Sequence, residues 1–155
     1  MLPIEQFIRQ FSTIFTLQQN LLPWELINNL SEIINDLSAK LGEDYYFKDG
    51  IVHWWGGWVH KTAVIEQGAV LKGPVIVSQN CHICCQRLSQ RPGLSWHDSV
   101  KDRPGSRDQT KHLIFANSAT AHFNSIGNSI IGADVNFEAG SICANHYNER
   151  QNKSI

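Results

Sequence analysis

Val59, Ile65, Leu71, Val77 and Ile83 follow one another at intervals of six residues without exception. The residues four places after the first four of them are Ala63, Ala69, Val75 and Cys81, all of them small. A six-residue beat fits neither the 3.6-residue period of a helix nor the two-residue alternation of a half-buried strand. It fits a three-sided solenoid, in which each hexapeptide forms one flat face, an aliphatic side chain points inward and a small residue takes the corner. The beat returns as Ile114, Thr120 and Ile126, and after one five-residue step as Ile131, Phe137 and Cys143. Gly127 and Gly132 directly follow aliphatic residues, where backbone freedom suits a corner. Three hexapeptides close one coil, so the legible beats supply about three coils, with a fourth conceivable between them.

Between the two runs, at 84–112, the pattern is irregular. Leu88, Leu94 and Val100 keep the spacing in a shifted phase, with Pro92, Asp98 and Pro104 near the corners. Six of the thirteen basic residues (Arg87, Arg91, Lys101, Arg103, Arg107, Lys111) lie in this stretch. It reads as a solvated excursion, with phosphate binding as the functional alternative.

The N-terminal residues, 1–50, read as a separate helical cap, which a short solenoid needs over one end. In PWELINNLSEIINDLSAKLG, Leu26, Ile27, Leu30, Ile33, Ile34, Leu37 and Leu41 recur at helical spacing, opposite Asn28, Asn29, Glu32, Asn35 and Asp36. Pro23 suits the first turn and Gly42 the C-terminal cap. A shorter helix is expected over Ile4 to Leu17. Residues 51–155 form the second unit.

The chain has 42% hydrophobic and 17% charged residues and a formal net charge of -1, values of a soluble globular protein with no electrostatic case for nucleic acid. No apolar run reaches the roughly 20 residues of a membrane span. Glu5 and Arg9 interrupt any signal-peptide core, so a cytoplasmic location is expected. The four cysteines, Cys81, Cys84, Cys85 and Cys143, include an adjacent pair and read as reduced thiols. Cys81-x-x-Cys84 with Cys85, His82 and His97 is a weak zinc signature, because Cys81 already serves as a small corner residue and no second pair follows. No metal is expected. His53, Trp54, Trp55, Trp58 and His60 form an aromatic cluster that either stacks on a sugar or base or, as the simpler reading, packs the helices onto the first coil.

The segment TAHFNSIGNSIIGADVNFEAGSICANHYNER, Thr120 to Arg150, carries the pattern H-x-x-x-I-G-N-S-x-I-G-x-x-V-N-x-x-A-G-S-I-x-x-N. This pattern, with PWELINNL, Asp49-Gly50 and VHKTAVIEQGAVLKGPVIVSQNCHI, resembles the hexapeptide-repeat (LpxA-like) transferases, among them the acetyltransferase domain of bifunctional N-acetylglucosamine-1-phosphate uridyltransferases and related sugar-nucleotidyltransferase-like proteins. The resemblance implies a mainly β fold, a left-handed parallel β-helix with an N-terminal helical cap, assembled as a homotrimer with active sites between neighbouring subunits. It implies acyl (acetyl) transfer from acyl-CoA to an amino-sugar nucleotide or sugar phosphate. His122 matches the family's general base, and Lys111, Asn136, Asn145 and His146 stand at or beside its substrate-binding positions. Ser125 and His146 replace substrate-binding tyrosines. Relatives run on for more coils beyond the position of Ile155, so a truncated solenoid is expected. The alternative is a non-catalytic, degenerate member that serves as a binding or assembly module. No P-loop or Rossmann glycine motif is present, and the nucleotidyl-transfer domain of the bifunctional enzymes has no counterpart here, so nucleotidyl transfer rests on the family name alone.

Overall fold

The computed structural model describes residues 4–8, 11–18, 20–48, 57–69, 71, 74–84, 88–89, 93–95, 101–102, 107–108, 111–120 and 124–144. A 3₁₀ turn at Ile4–Gln6 precedes three helices, α1 (Phe11–Ile14), α2 (Pro23–Asn28) and α3 (Leu30–Ser38). The strands follow in chain order: β1 (Tyr45–Lys48), β2 (Gly57–His60), β3 (Val64–Ile65), β4 (Val75–Val77), β5 (His82–Ile83), β6 (Leu88–Ser89), β7 (Gly93–Ser95), β8 (Lys101–Asp102), β9 (Arg107–Asp108), β10 (His112–Ile114), β11 (Ala119–Thr120), β12 (Ser125–Ile126), β13 (Ser129–Ile131) and β14 (Ile142–Cys143).

The single helix expected from Pro23 to Gly42 is divided at Asn29, whose φ of -89° and ψ of 6° leave the helical region. Asparagine competes with helical backbone through its own side chain, and two in a row make this the weakest point of the run. Pro23 does occupy the first turn of α2, where Glu25 accepts the Leu22 backbone N–H at 2.8 Å. The expected helix from Ile4 to Leu17 is a 3₁₀ turn followed by the four residues of α1. Tyr45–Lys48, also expected to be helical, is a strand. Its aromatic run Tyr45-Tyr46-Phe47 has high strand propensity and pairs antiparallel with β2.

The strands form three sheets, ordered β1-β2-β4-β7-β10-β13, β11-β8-β5-β3 and β14-β12-β9-β6. Every pairing except β1 with β2 is parallel. Registers join residues 18 apart early in the chain, as in Val59 with Val77 and Ile65 with Ile83, and 17 apart later, as in Ile114 with Ile131 and Ile126 with Cys143. Turns between strands use Asn80, Asn117, Asn128 and Asp134 at φ between 38° and 62°, a left-handed conformation that short amide and carboxylate side chains tolerate. At one corner, buried Ser118 donates to the Gly132 carbonyl at 2.8 Å and accepts the Val135 N–H at 3.2 Å.

Two apolar clusters hold these layers together. One collects Val59, Leu71, Val77, Ile83, Ile114, Ile126 and Ile131, drawn from all three sheets. The other collects Phe11, Phe15, Leu26, Leu30, Ile33 and Ile34 of the helical segment against Ile76, Leu113 and Phe115, with Trp58 and Ile130 partly buried beside them. Trp58, Ile76, Leu94, Leu113 and Ile130 are successive register partners across the six-stranded sheet, so the helices lie over that sheet's outer face. This corrects the expected fold class. The protein is a small mixed helix-and-strand chain with strands of two to four residues in small sheets, not a mainly β left-handed β-helix with helices capping one end. Among the described residues there is no unbroken solenoid. The physical reason is that the six-residue beat marks which side chains turn inward, but it is silent about the outward apolar row that draws the helices onto a face.

Trp58 is partly buried against the helical cluster and meets Phe47 edge-on, with ring centroids 5.7 Å apart. His60 is buried and packs edge-on to Tyr45 at 4.9 Å. His53, Trp54 and Trp55 lie outside the described residues. Asp44, exposed and ion-paired with Lys61, is held below the usual aspartate range by that ammonium. No helix among the described residues is long and apolar enough to cross a membrane.

Phe115 is 1% exposed and its ring lies 6.2 Å from that of Phe15, so it joins the helices to the sheet. Phe115→Ala is expected to lower unfolding free energy by about 3–5 kcal/mol, measured by urea denaturation. The Tyr45 phenol is pushed up, chiefly by burial, against an opposing hydrogen bond with Ser78 at 3.2 Å. The folded chain therefore keeps this proton to higher pH than the unfolded chain. Its contribution is complete below the ordinary tyrosine value of about 10 and is lost as pH rises past it through the folded value. Alkaline destabilisation should be shallower in Tyr45→Phe, read from midpoints of chemical unfolding across that range.

Candidate functional site

Of the residues that the motif singles out, His122, Asn145 and His146 lie outside the described residues. Lys111 is half-buried and donates from Nζ to the Asn28 carbonyl at 2.6 Å, which satisfies an acceptor at the C-terminal end of α2. Asn136 is exposed, and its backbone forms a parallel bridge with Ala119. Ser125 sits on β12, and its backbone N–H donates to the Ser141 carbonyl at 3.2 Å. The arrangement brings Asn136 beside Ala119 and leaves Lys111 engaged with the helical layer.

Asn124 gives the motif its internal clamp. It is 1% exposed, and its Nδ2 donates to the Glu138 carbonyl at 2.7 Å and lies 3.4 Å from that of Ser141. Ser141 Oγ also donates to the Glu138 carbonyl at 2.7 Å. The two halves of the motif, 124–131 and 136–143, are thus tied by a buried amide as well as by the β12–β14 ladder.

An open, largely apolar cleft of about 480 Å³ lies where the helical layer meets β13. Phe7 and Trp24, 68% and 60% exposed, form its lip. Asn128, Ile130 and Gly132 form its motif-derived wall. Clefts of this size, lined by aromatic and aliphatic groups with few polar atoms, suit an uncharged or amphipathic ligand. The six-residue pattern could not reveal the cleft, because its two walls come from segments about a hundred residues apart.

A second grouping lies on the sheet that contains β3 and β5. Glu66 N–H donates to the Ile83 carbonyl at 2.9 Å, which continues the β3–β5 register and sets Glu66 beside Cys84. His82 is two residues before Cys84 and shares its outward face, while Ile83 between them is buried. His82 Nε2 and Glu66 Oε1 are 2.9 Å apart, with both side chains about 40% exposed. One donor atom from each of Glu66, His82 and Cys84 falls within 4.8 Å of the others. Cys81, grouped with Cys84 by the C-x-x-C spacing, is instead 1% exposed in the inner apolar cluster, and Cys85 and His97 lie outside the described residues. Glu66 escaped notice because it stands 18 residues before Cys84; only the parallel register makes them neighbours.

Replacing Asn124 with alanine removes the buried amide that ties β12 to the Glu138 carbonyl and leaves that carbonyl to Ser141 alone. Asn124→Ala is expected to cost about 1–3 kcal/mol in chemical denaturation, and Asn124→Asp at least as much.

Comparison with known proteins yields no similarity to carry further: no family model, no curated protein and no solved structure matches the chain.

Proposed function

We propose that the chain is an acyltransferase that moves an acyl group, acetyl in the simplest case, from acyl-CoA to an amino-sugar nucleotide or sugar phosphate. The observation that carries this reading is the spacing of the Thr120–Arg150 motif, whose resemblance to hexapeptide-repeat transferases spans catalytic and substrate positions together. The apolar cleft supports it, because Asn128, Ile130 and Gly132 of that motif supply one wall, and the thioester arm of acyl-CoA is an amphipathic ligand of suitable bulk.

In this reading the amino nitrogen of the acceptor attacks the thioester carbonyl while His122 accepts the amine proton. The tetrahedral intermediate then collapses with cleavage of the C–S bond, and CoA leaves as the thiol after taking up a proton. An imidazole can accept a proton near neutral pH and return it to the leaving sulfur. Asn136, Asn145, His146 and Lys111 are the acceptor-binding candidates, and Lys111 already commits one of its three N–H donors to the Asn28 carbonyl. A homotrimer and a cytoplasmic location belong to the same proposal, since the resembling enzymes build their sites between subunits and draw on CoA thioesters.

A second reading, a non-catalytic binding or assembly module, is favoured by Ser125 in place of a substrate-binding tyrosine and by the exposed apolar groups Phe7, Leu17 and Trp24.

The two readings part on two measurements. Acetyl-CoA binding by calorimetry, and transfer to amino-sugar nucleotides that falls about 10²–10⁴-fold in His122→Ala, are expected of the enzyme. Absence of binding, or a transfer rate indifferent to His122→Ala, leaves the binding module.

A further inference from the structure

We propose that Glu66, His82 and Cys84 form a Zn²⁺ site on the outer face of the β3–β5 pair, independent of the acyl-transfer reading. Zinc is coordinated by thiolate sulfur, imidazole nitrogen and carboxylate oxygen, and the register places one of each together. Bond lengths of about 2.0 Å to nitrogen and oxygen and 2.3 Å to sulfur set donor separations in a tetrahedral site at about 3.3–3.6 Å. The three donors already lie within 4.8 Å of one another. Closing them onto an ion takes a shift of about 1 Å in half-exposed side chains on neighbouring paired segments.

The donor types separate this grouping from an ordinary surface ion pair. A Glu–His contact alone would select no metal, but a thiolate beside it favours zinc over the hard cations magnesium and calcium. The backbone bonds from Val64 N–H to the Cys81 carbonyl at 2.8 Å and from Glu66 N–H to the Ile83 carbonyl at 2.9 Å hold the two ligand-bearing segments at a fixed spacing. With three protein ligands the fourth position opens to solvent and takes water, so the bound ion cross-links two rungs and remains accessible to an exogenous ligand. On binding, the Cys84 thiol gives up its proton to solvent as the S–Zn bond forms, and Glu66 and His82 exchange their mutual hydrogen bond for bonds to the ion. No oxidation or reduction takes place. Affinity therefore falls on acidification.

The test uses the full chain, stripped with chelator, reduced, and titrated with Zn²⁺ or with Co²⁺ as a spectroscopic probe. About one equivalent should bind, with a thiolate-to-cobalt charge-transfer band, a rise in thermal midpoint and proton release. Glu66→Gln and His82→Gln, both at half-exposed positions, should each weaken binding by more than about 10-fold, and Cys84→Ser should abolish the charge-transfer band. A readout on the unaltered chain guards against a variant that fails to fold: Zn²⁺ should slow alkylation of Cys84, mapped by mass spectrometry, and leave that of Cys143 unchanged. Absence of binding, binding undiminished in Glu66→Gln or His82→Gln, or Cys84 alkylation indifferent to Zn²⁺ would each overturn the site.

Discussion

Burial of β4, β10 and β13 on both faces is the constraint from which the rest of the structure follows. Within three residues of β4, Val75 and Val77 turn to the inner cluster and Ile76 to the helices. Leu113 and Ile114 of β10 divide the same way, and so do Ile130 and Ile131 of β13. Two-residue and three-residue strands have little pairing energy of their own, so apolar burial on both sides holds them in register. The helices are in turn too short to persist in water without the sheet. Neither layer is a free-standing unit, and the tilted contact of Phe15 with Phe115 marks where they become one.

The legible part of the sequence was the inward row. The residues at six-residue spacing are those that the inner cluster gathers, and the five-residue step after Ile126 is the origin of the 17-residue register between Ile114 and Ile131. The illegible part lay beside that row. Ile76, Leu113 and Ile130 are as apolar as their inward neighbours, which is the pattern of a strand buried on both faces, but periodicity alone treats them as incidental. For that reason periodicity alone points the helices to the end of a solenoid, whereas they cover a face of the six-stranded sheet. The division of the long helix at Asn29 was equally hidden, because amphipathic spacing continues smoothly across the break and backbone competition decides it.

The two candidate sites differ in how far a linear reading could reach them. The transferase motif is contiguous, so its candidates were visible at once; of its neighbours, Asn124 is engaged in holding the motif together, and Lys111 in finishing a helix. The Glu66–His82–Cys84 grouping is invisible to local motif reading, since its members meet only through the parallel pairing of β3 with β5. Where short parallel strands recur, chemistry is assembled across paired strands, and the spacing that matters is the register offset between them and not the few residues within a motif.

The registers of neighbouring rungs differ: Val75 pairs with Gly93 at 18, Gly93 with His112 at 19, and His112 with Ser129 at 17. The missing residue of the 17-residue step falls at the turn between Ile126 and Ile131, where Asn128 has a φ of 38°, so a one-residue change of length at such a turn does not displace every later side chain. Such a chain can accept genetic length changes that would ruin a long-stranded sheet, where a single slip inverts inside and outside. Tolerance of that kind leaves an evolving lineage free to vary its corners while the stacked rows beneath them stay unchanged.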